Sequence, residues 1–242
     1  MNKEHLEKQI SVIILATNEE KALHKTVETI LNENNFYINK IFIITPKDTS
    51  KGCLKTIEKL KKIYINILIH KFQPKQLPGY GGASIFGIGL IETTHFVLCD
   101  ADGETDPKEI KNLIKNIDNS KYDIISCSRW KSKNWLNEYG FLNFIFNWIF
   151  QKTTSLLFFS NLTDYTVNYR LYSSSMMKQI NFKYLNQSFA LESILIPLRK
   201  GCRIKEIPYN FVKRNEGISR NNFFNKLKYI KTLIECRTRK IY

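Results

Sequence analysis

Nothing in this chain can build a disulfide framework. The five cysteines, Cys53, Cys99, Cys127, Cys202 and Cys236, are odd in number and widely scattered. No C-x-x-C pair occurs, and no histidine stands close enough to complete a zinc-ligand spacing. Reduced thiols in a cytosolic compartment are the expectation. The charged stretch Met1 to Lys8 lacks the apolar core of a signal peptide, so no export is expected. The most apolar segment, Trp135 to Phe159, is broken by Gln151 to Ser155 and falls short of the roughly 20 apolar residues that span a bilayer. Internal repeats and low-complexity linkers are absent. So are the usual phosphate fingerprints: no G-K-[ST] follows the glycines at 79–82, and no third glycine completes a dinucleotide motif.

What is present is a 242-residue chain with 43% hydrophobic residues, long enough to bury one substantial core. One domain is expected. The formal net charge of +15 is unevenly placed: residues 1–120 carry 16 Lys/Arg against 15 Asp/Glu and residues 121–242 carry 21 against 7, about +1 and +14. A basic half of that strength attracts a polyanion, whether nucleic acid, anionic lipid head groups or a phosphorylated substrate. The basic residues form no recognisable nucleic-acid reading module, and the carboxylate-rich turn after Cys99 repels a phosphate backbone. No nucleic-acid partner is therefore expected.

Hydrophobic periodicity in the first half alternates between two and nearly four. Ile10 to Ala16, Ile41 to Thr45, Ile65 to Ile69, Phe96 to Cys99 and Asp123 to Cys127 read as strands. Helical spacing links Leu23, Val27, Ile30 and Leu31, then Leu54, Ile57 and Leu60, then Ile85, Ile88 and Ile91, and after Pro107 links Ile110, Leu113, Ile114 and Ile117. The alternation predicts an α/β, mostly parallel, doubly wound sheet, whose ligands bind beyond the carboxyl ends of its strands. The second half differs. Between Trp135 and Phe159, Asn143, Asn147 and Gln151 form one polar stripe on an otherwise apolar helix, which suits either a lipid interface or a core helix pair. A loop with Asp164 and Arg170 follows, then a helix from about Phe189 to Lys200, a strand-like Arg203 to Phe211, and a basic amphipathic helix from Phe223. In that helix Phe223, Leu227, Ile230 and Ile234 share helical spacing among lysines and arginines.

Two patterns carry chemistry. Phe96 to Cys99 is an apolar strand ending in Asp100-Ala101-Asp102, and alternation sends the two carboxylates to one side of the carboxyl edge. Hard oxygen ligands of that kind suit Mg²⁺ or Mn²⁺, which neutralise phosphate oxygens. Helix capping before Pro107 explains Asp106 but not Asp100. Upstream, Gly79-Tyr80-Gly81-Gly82-Ala83 opens a helix, either as a backbone approach to a diphosphate or as a plain turn.

Taken in order, Ala16-Thr17-Asn18-Glu19-Glu20, G-Y-G-G-A, D-A-D, Ser128-Arg129, the run from Asp164 to Arg170, and the run from Arg214 through Gly217 and Ser219 to Arg220 resemble the family 2 glycosyltransferases of the GT-A, Rossmann-like fold. They are most similar to dolichol-phosphate mannose synthases and related polyprenyl-phosphate sugar transferases. The resemblance covers about Ile10 to Arg220. It implies an inverting, metal-dependent hexosyltransferase using a GDP- or UDP-linked sugar, with a nucleotide-sugar-binding half (1–128), an acceptor-binding half (129–220) and the basic terminal helix (221–242). Cytoplasmic localisation with peripheral membrane contact goes with it.

The resemblance also implies residue roles. Thr17, Asn18, Glu19 and Asp48, with Gly79, Gly81, Asp100, Ala101, Asp102 and Arg214, fall on the donor. Asp100, Asp102 and Glu104 fall on the metal. Arg129, Asp164, Arg170, Ser219 and Arg220 fall on the acceptor phosphate, and Arg170 is also a catalytic candidate. Ala16 stands where the family has Pro, Asn168 stands where Gly is usual, and only Asp48 substitutes for the acidic pair usual after the second strand. A lipid phosphate is already anionic near pH 7, its second pKa being about 6, and needs no strong base. A hydroxyl acceptor, as in surface-polysaccharide synthesis, would need one, and Glu192 is the candidate.

Overall fold

The structure is a computed structural model that describes residues 9–103, 105–117, 121–132, 141–209 and 223–241. Seven strands, β1 (Ile10–Leu15), β2 (Ile38–Thr45), β3 (Leu68–Phe72), β4 (His95–Asp100), β5 (Ile124–Ser128), β6 (Arg170–Ser173) and β7 (Ile204–Pro208), form one sheet in the order β3-β2-β1-β4-β6-β5-β7. Every neighbouring pair is parallel except those of β6, which runs antiparallel to both β4 and β5. The helices are α1 (Lys21–Asn34), α2 (Lys51–Ile63), α3 (Gly79–Gly89), α4 (Ile110–Lys115), α5 (Phe141–Phe158), α6 (Ser174–Lys178), α7 (Phe189–Arg199) and α8 (Phe223–Thr238).

Strand alternation divides the core between the two faces of the sheet. Val12, Ile14, Val97 and Cys99 point to the side covered by α1, α2 and α4, where Leu23, Val27, Ile57 and Leu113 are buried. Ile13, Phe96 and Leu98 point to the side covered by α3 and α7, with Phe189, Leu191 and Ile194. The cysteines are free, and burial pushes the thiols of Cys53, Cys99 and Cys236 up to about 12, which leaves them unreactive.

The expected strands recur, with two differences. The third begins at Leu68, three residues later than its apolar run. The amides of Ile67 and Leu68 both turn back to the Tyr64 carbonyl at 3.0 and 2.9 Å, closing α2 before the strand can pair. Ile65 is left exposed. The segment with Arg170, read as loop, contains β6: four residues led by a buried arginine show no alternation to read, and the cross-strand pairing of β6 with β4 and β5 makes it a strand.

The chain moves outward from β1 through β2 to β3, then crosses back to lay β4 on the other side of β1. The carboxyl ends of β1 and β4 are therefore the switch point at which loops diverge and ligands bind in such sheets. Leu15 and Asp100 are in register there. Because β6 is antiparallel, its beginning and the residues before it lie at this same edge.

On α5 the last residue of the polar stripe, Gln151, faces the protein. Gln151 is buried, bonds Asn147 at 2.8 Å, and accepts the Tyr165 amide at 2.9 Å. Phe146, Trp148, Ile149, Leu156 and, just past the helix, Phe159 are exposed. Residues 135–140 and the Asn143 side chain lie outside the described residues. Helix α8 packs on α7 through Leu233 and Cys236, both buried, and turns Ile230 and Ile234 outward. The side chains of Phe223 and Leu227 lie outside the described residues. Among the described residues no helix is long and apolar enough to cross a membrane.

Candidate active site

At the end of β1 the chain folds on its own acid. The Glu19 carboxylate accepts the amides of Thr17 and Asn18 at 2.7 and 2.9 Å, so Thr17 and Asn18 are presented outward in a rigid turn. The Ser50 amide donates to the Thr17 carbonyl at 3.0 Å, which brings the loop after β2 alongside. Asp48 is exposed in that second loop, and the Thr49 hydroxyl pins the turn to the Pro46 carbonyl at 2.7 Å. Thr17, Asn18, Glu19 and Asp48 thus share one rim of the switch point.

Asp100 and Asp102 form the other rim. Their turn is anchored from several sides: the Ala101 amide reaches the Leu15 carbonyl at 3.3 Å, and Gly103 takes φ +81, open to glycine. The Tyr169 hydroxyl donates to the Asp106 carbonyl at 2.7 Å and the Tyr209 hydroxyl accepts the Asp106 amide at 3.3 Å. Asp106 caps the following 3₁₀ turn through the Lys108 amide at 3.0 Å. Among the described residues no three acidic, histidine or cysteine groups gather as a metal cage. Two carboxylates on a preformed turn are the usual protein share of a Mg²⁺ site completed by substrate phosphates, so the donor set fits such an ion. Glu104, the expected third ligand, lies outside the described residues.

Packing by itself requires glycine at Gly79 and Gly81, the residues expected beside the donor diphosphate. Gly79 has φ +72, and a methyl there would meet the Leu185 carbonyl. At Gly81 a methyl would collide with the Tyr184 and Asn186 carbonyls and with Phe189. The Gly82 amide is already given to Leu185 O at 3.1 Å. These glycines seat α3 on the 184–186 segment.

Past β5, Arg129 and Asp164 meet, but with each other. The guanidinium grips the carboxylate through Nε at 2.7 Å and Nη2 at 2.9 Å, and also reaches Thr166 Oγ1 at 2.7 Å. Burial alone would raise the Asp164 pKa; the Arg129 charge and the hydrogen bonds outweigh it and hold the carboxyl below its ordinary range. Glu206 on β7, which nothing in its sequence neighbourhood singled out, accepts the amides of Thr163 and Asp164 at 2.9 Å and completes the loop. Both members of the expected acceptor pair are occupied in shaping this loop.

Arg170 is fully buried. Its donors reach Ser126 Oγ at 3.1 Å, the Ala190 carbonyl at 2.9 Å, Ser193 Oγ at 3.1 Å and the Tyr165 carbonyl at 3.0 Å. The expectation of a phosphate-binding or catalytic Arg170 gives way to a strut between β6, α7 and the 165 loop. Glu192 is corrected likewise: it is wholly buried, pairs with Arg239 at 2.7 Å, and accepts the amides of Lys183 and Tyr184 at 3.0 and 2.9 Å. A carboxylate so engaged cannot collect a proton from an acceptor hydroxyl. Arg214, Ser219 and Arg220 lie outside the described residues.

A cleft of about 500 Å³ opens at the opposite, amino edge beside His95, Asp123, Ser174 and Lys178. Of its lining charges, Asp123 is paired with Arg203 at 3.3 Å and Lys178 with the Ile91 carbonyl. The carboxyl edge, where four strand ends deliver carboxylates and hydroxyls, remains the candidate site.

The chain is similar to known proteins over most of its length. The Glycosyl transferase family 2 model matches residues 11–180. An uncharacterised protein of Methanocaldococcus jannaschii is 27% identical over 239 residues, 97% of this chain and 93% of its own. An undecaprenyl-phosphate mannosyltransferase of Micrococcus luteus is 27% identical over 162 residues, 63% of this chain and 64% of its own. Among solved structures, glucosyl-3-phosphoglycerate synthase of Mycobacterium tuberculosis with Mn²⁺, UDP-glucose and phosphoglyceric acid superimposes with a TM-score of 0.72 at 12% identity, covering 100% of this chain and 85% of that one. The same enzyme with Mg²⁺ and UDP gives 0.71 at 12% identity, covering 100% and 85%.

Proposed function

The chain belongs to glycosyl transferase family 2, and on that premise we propose that it transfers a sugar from a nucleotide-sugar donor to a polyprenyl phosphate presented at a membrane surface. The observation that carries the acceptor is the orientation of α5: Gln151 is buried against the protein, while Phe146, Trp148, Ile149 and Leu156 face outward. An amphipathic helix turned this way has its apolar face available to lipid. Lys152 lies on the same helix, and Lys228, Lys231 and Arg237 lie on α8, which touches α5 where Phe150 meets Tyr229 and Arg237 covers Phe159. Cations ringing an apolar face suit an anionic, cytoplasmic leaflet. The name of the Micrococcus relative, which specifies an undecaprenyl-phosphate acceptor, supports the same reading.

In this reading Thr17, Asn18, Glu19 and Asp48 line the nucleotide side, and Asp100 and Asp102 hold Mg²⁺ or Mn²⁺, the ions found with UDP in the Mycobacterium structures. When bound, the cation neutralises charge on the leaving diphosphate. The chain's part is preorganisation. Tyr169 and Tyr209 keep the carboxylate turn in place before the donor arrives, so no reorganisation is needed during transfer. Glu206, Asp164 and Arg129 hold the neighbouring loop. A phosphate acceptor arrives as an anion and needs no base, which agrees with the full engagement of Glu192.

The phosphoglyceric acid in the Mycobacterium structures favours a second acceptor class, a small phosphorylated hydroxyl compound. A donor screen separates the two. UDP- and GDP-sugars are offered with Mg²⁺ or Mn²⁺ and either undecaprenyl phosphate or 3-phosphoglycerate. Labelled glycolipid from one donor is expected. Product only from phosphoglycerate would overturn the lipid acceptor, and no product from any pair would overturn the transferase reading.

A further inference from the structure

Tyr80 stands in the first turn of α3 between two glycines that seat the helix on the 184–186 segment. Its hydroxyl accepts Asn168 Nδ2 at 2.7 Å. The direction of that bond is dictated from the core outward. Arg170 can only donate, and its Nη1 reaches the Tyr172 hydroxyl at 3.3 Å. Tyr172 then donates to Asn168 Oδ1 at 3.0 Å, and Ser193 Oγ lies 3.4 Å from the same oxygen. With its oxygen surrounded by donors, the Asn168 amide must turn its NH₂ to Tyr80. The Tyr80 oxygen is therefore the acceptor, and its own hydrogen is left for another group.

The sheet register shows where that hydrogen is available. In the antiparallel β4–β6 pair, Phe96 faces Tyr172 and Leu98 faces Arg170. The ladder ends at Leu98 and Arg170; Asp100 closes β4 two residues beyond Leu98, and Asn168 lies two residues before Arg170, at the same carboxyl edge. Phe96, Leu98 and Asp100 share one face of β4 by alternation, Tyr172 and Arg170 share that face of β6, and this is the face covered by α3 and α7. The half-buried Tyr80 hydroxyl, held by Asn168, thus sits on that face at the carboxyl edge, where burial and then the nearby Asp100 charge push its pKa up.

We propose that Tyr80 is a donor-binding residue whose hydroxyl hydrogen is given to a phosphate oxygen of the sugar diphosphate held at Asp100, with Asn168 and Arg170 acting as the relay that orients it. The inference rests on the donor reading of the preceding section. It gives the buried Arg170 a positioning role at the site, without contact to ligand, and gives a purpose to the asparagine in the loop just before β6.

The test is calorimetric titration of the full chain with UDP and, separately, GDP, each with Mn²⁺. Wild type is expected to bind one of them. Tyr80→Phe keeps the ring and removes the hydroxyl, and should weaken that binding about ten- to a hundredfold, the usual worth of a hydrogen bond to a charged group. Its melting temperature should fall by only about 2–4 °C, for the bond Asn168 loses. Asn168→Ala should reproduce part of the weakening, and the double variant should bind no worse than Tyr80→Phe alone. Unchanged affinity in Tyr80→Phe, with wild type binding normally, would overturn this inference alone. If wild type bound neither nucleotide, the donor reading would fall and this inference with it.

Discussion

Gln151 on α5 and Tyr165 in the loop before β6 are joined by a buried bond, the Gln151 carbonyl oxygen accepting the Tyr165 amide at 2.9 Å. The Gln151 amide nitrogen continues to Thr166 Oγ1 at 3.1 Å, beside the Arg129–Asp164 fork. The bond sets the roll of α5. With Gln151 inward, the opposite row through Phe146, Ile149 and Leu156 faces out, and Trp148 at its margin is half exposed.

That roll predicts membrane binding of a specific kind. Co-sedimentation should rise with anionic lipid and weaken with salt. Replacing Trp148 and Leu156 with Asp should abolish it while the melting temperature stays close to wild type, because both side chains are exposed. Equal sedimentation of the double variant and wild type would remove α5 from the membrane surface.

Arg170 should behave as scaffold. Arg170→Ala strands buried acceptors on Ser126, Tyr165 and Ala190, at about 1–3 kcal/mol for each left unsatisfied. A loss of at least about 3 kcal/mol in denaturant unfolding is expected. A variant of wild-type stability with a raised KM for the acceptor would return Arg170 to direct ligand contact.

Asp100→Ala and Asp102→Ala should each cut turnover at least a hundredfold, about 2.7 kcal/mol in transition-state terms. Both should leave the far-ultraviolet dichroism unchanged, since the turn is held through Tyr169, Tyr209 and Leu15 backbone contacts that the side chains do not supply. Near-normal turnover of Asp102→Ala in the presence of chelator would exclude the metal role.

The two glycines at either end of α3 should respond oppositely to alanine. Gly81→Ala drives a methyl into the Tyr184 and Asn186 carbonyls and should cost about 1–3 kcal/mol. Gly89 has open space where the methyl would go, so Gly89→Ala should be neutral or stabilise by up to about 1 kcal/mol. Thermal unfolding of the pair checks both.

Acid should weaken one surface tie of the terminal helix. Hydrogen bonds from Lys183 and Tyr184 lower the Glu235 pKa from 4.5 to about 2. The folded carboxylate thus binds its proton less readily than the unfolded one, so the latch stabilises fully above about 4.5 and is lost as pH falls toward about 2. Asp164, also held below its ordinary 3.8, adds a second loss in the acid range. Glu235→Gln should be less stable than wild type at pH 6, and the difference should shrink steadily as pH falls from about 4.5 toward about 2; a constant difference across that range would assign the latch no electrostatic part.

The sequence by itself determined the layered α/β order, because apolar periods of two and nearly four are local properties of the chain. It also determined the pair Asp100 and Asp102 at a strand end, since alternation and the carboxyl-edge rule need no knowledge of distant residues. Only the tertiary structure decided what the charged residues of the second half do. Whether Arg129, Arg170 and Glu192 meet ligand or protein depends on which groups reach them from elements up to 47 positions away, as Arg239 reaches Glu192. No local pattern encodes such a meeting. The same holds for α5: its sequence contains a polar stripe and an apolar face, but a helix can turn either to the protein. Here Tyr165 and Thr166 offer buried polar partners that Gln151 can satisfy, and a buried polar group without a partner costs more than an exposed apolar one.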